Sequence, residues 1–167
     1  RWYNYFVAHR IVPGTLKFPH FTKAFYEYYN IDFSKRVTNF SIERDTELED
    51  AAYEKFVREH GEDYVMYHDD QKREETKGVG VPYKSTHIKL DRKEGLSYVN
   101  LNKATNTFFD YIKIIENAHE IHVVDSVWAC LLYQLDSRYG TLDNKPVNVY
   151  CQRGHYEIFK NPISLSN

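Results

Sequence analysis

The sequence is short of cysteine, of basic charge and of long apolar runs, and each shortage removes a class of protein. Two cysteines among 167 residues cannot build the disulfide framework of a small secreted domain. Cys130, inside an apolar stretch, and Cys151, at the end of a strand-like one, read instead as reduced core thiols. A formal net charge of -2 supplies no basic field for a phosphodiester backbone, so nucleic acid is not expected as a partner. No stretch approaches the ~18 consecutive apolar residues of a membrane-spanning helix, and no signal-peptide pattern opens the chain. The expectation is a cytoplasmic protein with no transmembrane segment. Gly-x-Gly-x-x-Gly and Walker loops are both missing, which disfavours dinucleotide oxidoreductases and NTPases. No glycines flank Ser126 as a nucleophile elbow requires, which counts against a serine hydrolase. There is no internal repeat and no low-complexity segment.

Hydrophobic residues make up 42% of the chain and aromatics 16%, enough to bury a core and too much for a disordered chain. Trp2-Tyr3-Asn4-Tyr5-Phe6 is too hydrophobic for a free arm, and the first residue is Arg1; a piece of a longer protein is expected. After Pro19, residues Phe21, Ala24, Phe25, Tyr28 and Tyr29 keep the spacing of an amphipathic helix that Asn30 can end. The polar stretch from Asp32 to Asp45 holds Phe33 and Phe40 as anchors. Thr46-Glu47-Leu48-Glu49 has a capping-box pattern, Leu48, Ala52 and Phe56 form an inner stripe, and Gly61 is the stop. Strands are then expected at Tyr64 to Tyr67, His87 to Leu90, Tyr98 to Asn102, and Pro146 to Cys151, besides the one from Ile121 to Val124.

The densest signal lies between Asn106 and Gly140. Phe108, Ile112, Ile115 and Ala118 share one helical face, with Thr105 or Asn106 as N-cap. Ile121-His122-Val123-Val124 is short and β-branched, as a buried parallel strand is. At Asp125-Ser126 the chain turns straight into Val127-Trp128-Ala129-Cys130-Leu131-Leu132-Tyr133-Gln134-Leu135, apolar almost all round, with Gly140 as stop. Strand and helix alternate from Tyr64 onward. The fold class is therefore α/β, a Rossmann-like, mostly parallel sheet flanked by helices. Residues 1–61 are expected as a helical N-terminal or interdomain segment and residues 62–167 as the Rossmann-like unit.

In such a sheet, ligands bind outside the carboxyl ends of the strands. Four polar groups fall at those ends: His68, Asp69 and Asp70; Asn100 and Asn102; Asp125 and Ser126; Gln152 and Arg153. A helix opening directly after Asp125-Ser126 offers a hydroxyl and the backbone N–H of Val127 to a phosphate. Either side chain could equally cap that helix, and the two roles are compatible. Arg73 could pair with a diphosphate. The charged, then Gly-rich stretch from Gln71 to Pro82 is expected as an exposed, mobile lid. His122, inside a buried strand, is expected as a satisfied core histidine.

The run from Tyr98 to Tyr139 resembles the donor-binding half of GT-B glycosyltransferases, heptosyltransferase- and fucosyltransferase-like groups in particular. Its marks are Asn102, the Phe109-Asp110-Tyr111 helix and Ala118-His119-Glu120-Ile121-His122-Val123-Val124-Asp125-Ser126. The likeness extends over roughly Tyr64 to Cys151. The glycine-rich turn and the His-x-Arg motif of some of these families are absent. The resemblance implies transfer of a sugar from a nucleotide sugar to a glycan or other acceptor. The diphosphate would sit on Asp125, Ser126 and Val127, and the loop after His68-Asp69-Asp70, with Arg73, would face the donor. Asn102 would lie on the same edge, and the transfer would require no metal or other cofactor. Two other readings stand beside it. One is a facial triad for non-haem iron, made of His68-x-Asp70 with His122 or His155, which demands a jelly roll. The other is a non-catalytic module whose tyrosines recognise a glycan or a protein.

Overall fold

Short β-branched and aromatic segments form the centre of the fold, and helices that bury one apolar stripe close it on one side. The computed structural model describes residues 26–69, 88–103, 108–124, 126–142, 145–151 and 162–164. The strands are β1 (Tyr64–His68), β2 (Ser97–Asn100), β3 (Glu120–Val124), β4 (Val147–Cys151) and β5 (Pro162–Ser164). They lie in the order β2-β1-β3-β4-β5, and every neighbouring pair is parallel. This is the Rossmann-like α/β sheet that the alternation of elements predicts. The helices are α1 (Lys35–Thr38), α2 (Thr46–His60), α3 (Ile112–Asn117) and α4 (Val127–Tyr139), with 3-10 turns at Leu101–Lys103 and Phe108–Tyr111.

Strand periodicity and register sort the side chains onto two faces. Met66 pairs with Val99 and with Ile121, and Val123 pairs with Val149. These residues pack in one cluster with Ala52 and Phe56 of α2, Ile112, Ile114 and Ile115 of α3, and Trp128, Leu131, Leu132 and Leu135 of α4. The connections from β2 to β3 and from β3 to β4 run in the same direction along the sheet. Right-handed crossovers put both of their helices on one face. The other face carries the buried Val65 and Val124 together with Tyr67, Tyr98, Asn100, Glu120, His122, Asn148 and Tyr150.

Two buried polar contacts tie the helices down. Tyr64 Oη donates to the carbonyl of Ile114 at 2.7 Å, and burial pushes the phenol well above its usual range. Glu49 is buried in the first turns of α2. The Arg44 guanidinium donates to it through Nε at 2.9 Å and to Glu116 of α3 through Nη1 at 2.7 Å. One arginine thus neutralises a desolvated carboxylate and joins two helices.

Several local expectations are corrected. The N-cap of α2 is Asp45, whose carboxylate accepts from Leu48 N at 3.1 Å, so the capping pattern starts one residue before Thr46. Leu48 is 56% exposed, because with the helix starting there Glu49, Ala52 and Phe56 form the inward stripe. Residues 88–90 are not a strand, and the second strand ends at Asn100 with Asn102 in a 3-10 turn. Cys130 is exposed rather than a core thiol, since the buried arc of α4 is narrower than its composition suggests. Tyr28 and Tyr29 are also exposed. Asn30, at φ 52°, does end a helical turn at residues 26–28, and Gly61 and Gly140 are the C-caps expected. The strand β5 had no counterpart in the sequence reading. No helix among the described residues is long and apolar enough to cross a membrane.

Candidate functional site

The connections leaving β1 and β3 run opposite ways: β1 leads to β2 on one side, and β3 leads to β4 on the other. The adjoining carboxyl ends of β1 and β3 therefore lie at a switch point, where an open parallel sheet leaves room between diverging loops. His68 ends β1 in register with Val123, and β3 ends at Val124. The sheet thus brings His68, Asp69, Asn102, Ser126 and Val127 to the same end. Asp70, Arg73, Asp125, Gln152, Arg153 and the proposed lid from Gln71 to Pro82 lie outside the described residues.

Each of these side chains has a distinct situation. Asp69 is 3% exposed and is held by amides. Asn102 Nδ2 donates to its Oδ1 and to its backbone carbonyl, both at 2.8 Å, and Asn100 Nδ2 lies 3.5 Å from the same Oδ1. Asn100 Oδ1 in turn accepts from Asn102 N at 2.8 Å. These bonds lace the ends of β1 and β2 together, so Asp69 and the amide nitrogen of Asn102 shape the edge from within. His68 is half-buried, its ring 6.5 Å from that of Trp128 in the first turn of α4. Trp128 is wedged between Phe108 and Tyr111, with ring centroids at 4.2 and 5.7 Å. That aromatic packing fixes where α4 begins.

Ser126 is the N-cap of α4, in an extended conformation, yet its hydroxyl caps nothing. Its Oγ is buried and has no hydrogen-bond partner among the described residues. The helix's first backbone bond runs from Cys130 N to Ser126 O at 3.1 Å, which leaves the N–H groups of the first turn without helical acceptors. No acidic side chain stands in that turn to offset the positive end of the helix dipole, and Val127 is 64% exposed. An open helix start with a spare hydroxyl at a switch point is suited to an anion.

His122 belongs elsewhere, in the middle of β3 on the opposite face. Its ring nitrogens bond Tyr150 at 2.9 Å and Glu120 at 3.1 Å, so it is a satisfied histidine, as expected. The jelly roll demanded by the iron reading is replaced by an all-parallel sheet, and both nitrogens of His122 are already engaged; Asp70 and His155 lie outside the described residues. The polar partners of His122 were missed in the sequence. The signal was present, because 120 and 122 share a strand face, as do 148 and 150, but only the register brings the two pairs together. Comparison with protein-family models, with curated proteins and with solved structures finds no match.

Proposed function

We propose that this chain carries the donor-binding half of a glycosyltransferase and holds a nucleotide sugar by its diphosphate at the carboxyl edge between β1 and β3. The observation that supports this best is the start of α4: a buried Ser126 hydroxyl that makes no cap among the described residues, beside first-turn N–H groups without helical acceptors and with no acidic side chain inside that turn. In the transfer, the bond between the anomeric carbon and the diphosphate breaks, and negative charge grows on the leaving phosphate. Backbone N–H groups aimed at that charge favour the transition state over the bound donor. Ser126 would add one charge-assisted hydrogen bond, and Arg73, on the segment after β1, would add a bidentate one. The acceptor is a hydroxyl of a glycan or another molecule.

A thermal-shift panel of nucleoside diphosphates and nucleotide sugars tests the reading. A ligand at ~100 times its dissociation constant adds about 2.7 kcal/mol of stability, a rise of several degrees for a chain of this size. If no member of the panel raises the melting temperature, the assignment fails.

A further inference from the structure

On the face of the sheet opposite α2, α3 and α4, strands β3 and β4 carry a chain of three titratable side chains. Tyr150 Oη lies 2.9 Å from His122 Nδ1, and His122 Nε2 lies 3.1 Å from Glu120 Oε1. Glu120 is held by two further side chains. Asn148 Nδ2 donates to its Oε1 at 3.1 Å, and Lys93 Nζ reaches its Oε2 at 3.3 Å. A carboxylate can only accept, so Nε2 carries the imidazole proton. In the neutral ring Nδ1 is then the acceptor, and Tyr150 donates to it.

Burial holds the imidazole below its ordinary value, outweighing the pull of Glu120 in the other direction, and it pushes the Tyr150 phenol up. The resting arrangement is a neutral phenol on a neutral imidazole that is backed by a carboxylate. Lys93, Glu120 and Tyr150 are the titratable groups bonded around this system, and Tyr67 of β1 is the register neighbour of His122. An aliphatic residue at 122 would fill a parallel strand without the desolvation cost of a histidine. Tyr150 is only half-buried and pairs in register with Val124, the last residue of β3. Tyr150 is therefore the member of the chain nearest the carboxyl edge of the sheet.

We propose that Tyr150, His122 and Glu120 form a proton relay that makes Tyr150 Oη a base-activated nucleophile toward an activated ester. In the step, the phenolic oxygen attacks the ester carbonyl carbon, and the O–H proton passes to His122 Nδ1. The bond from that carbon to the leaving oxygen breaks, the acyl group stays on Tyr150, and the alkoxide or phenolate takes up a proton from the imidazolium. Glu120 stabilises the imidazolium while it lasts. The inference is independent of the nucleotide-sugar reading, since neither the helix start at Ser126 nor any phosphate takes part.

The test exposes the whole chain to p-nitrophenyl acetate between pH 6 and pH 9 and measures acetylation of each tyrosine by peptide mass spectrometry. With the relay, the rate at Tyr150 levels off once His122 is neutral, from about pH 7 upward. An unassisted phenol gains about tenfold per pH unit across the whole range, because only its phenolate reacts. His122→Asn should slow acetylation at pH 7 by at least about 100-fold, the lower end of general-base catalysis, and restore the tenfold-per-unit rise. Glu120→Gln removes the charge behind the imidazolium and should lower the plateau by about tenfold. A tenfold-per-unit rise in the wild-type chain, or Tyr150 reacting no faster than the other tyrosines, overturns the proposal. Should His122→Asn fail to fold, the wild-type profile together with Glu120→Gln decides the matter.

Discussion

Asn102 Nδ2 donates to two oxygens of one residue, the backbone carbonyl and the carboxylate Oδ1 of Asp69, both at 2.8 Å. These two hydrogen bonds, one to the carboxylate and one to the backbone, join the end of β1 to the turn after β2. It explains how a carboxylate comes to be buried at the edge where a ligand would approach.

Asn102→Ala should destabilise the fold by about 2 kcal/mol, because a buried carboxylate and a carbonyl each lose a donor. Urea unfolding measures this directly. A change under ~0.5 kcal/mol would mean that water replaces the amide at no cost and that the edge is wetter than its burial indicates.

Arg44→Met should cost about 2 kcal/mol, below the ~3 to 5 kcal/mol of a fully buried pair, since Arg44 is 38% exposed while Glu49 is 4% exposed. The double variant Arg44→Met with Glu49→Leu should recover most of the loss, because it removes the stranded charge as well. A double-mutant cycle in guanidinium gives the coupling, and additive effects would refute the clamp.

Ser126→Ala separates a cap from a ligand group. The hydroxyl caps nothing, so stability should stay within ~0.5 kcal/mol of wild type, whereas loss of a working N-cap costs about 1 kcal/mol. Nucleoside diphosphate affinity should fall by roughly 1 kcal/mol, about fivefold. Isothermal titration with unaltered affinity in the folded variant would remove Ser126 from the proposed donor site.

Burial lowers the His122 pKa in the folded chain, so between that value and the ordinary ~6.5 the unfolded chain binds the extra proton. The stability tied to this histidine is complete above about pH 6.5 and is lost as pH falls below it. Chemical denaturation between pH 7 and pH 5 should therefore show a shallower acid decline in His122→Phe than in the wild type. Parallel declines would show that His122 titrates alike in both states.

The helix beginning at Val127 and stopping at Gly140 was legible because its two ends are marked, by a turn at Asp125-Ser126 and by a glycine now seen at φ 65°. So was β3, whose Ile121, Val123 and Val124 are nearly inaccessible. His-Ile-Lys-Leu from His87 to Leu90 alternates locally, as a half-buried strand does, yet residues 88–90 are not in a strand. Helical spacing alone puts Leu48 in the core. Arg44 gives Glu49 a partner, so that a carboxylate occupies the buried position instead.

Periodicity and punctuation in this sequence determine the element types, the parallel sheet and the end of it where polar residues collect. They do so because burial acts on patterns of two and 3.6 residues that are local along the chain. The tertiary structure alone decided which polar groups meet. Asp69 finds Asn102, and Glu120 and His122 find Asn148 and Tyr150, through strand order and register between segments far apart in sequence. A one-residue slip in any of those pairings would turn the same side chains to the opposite face.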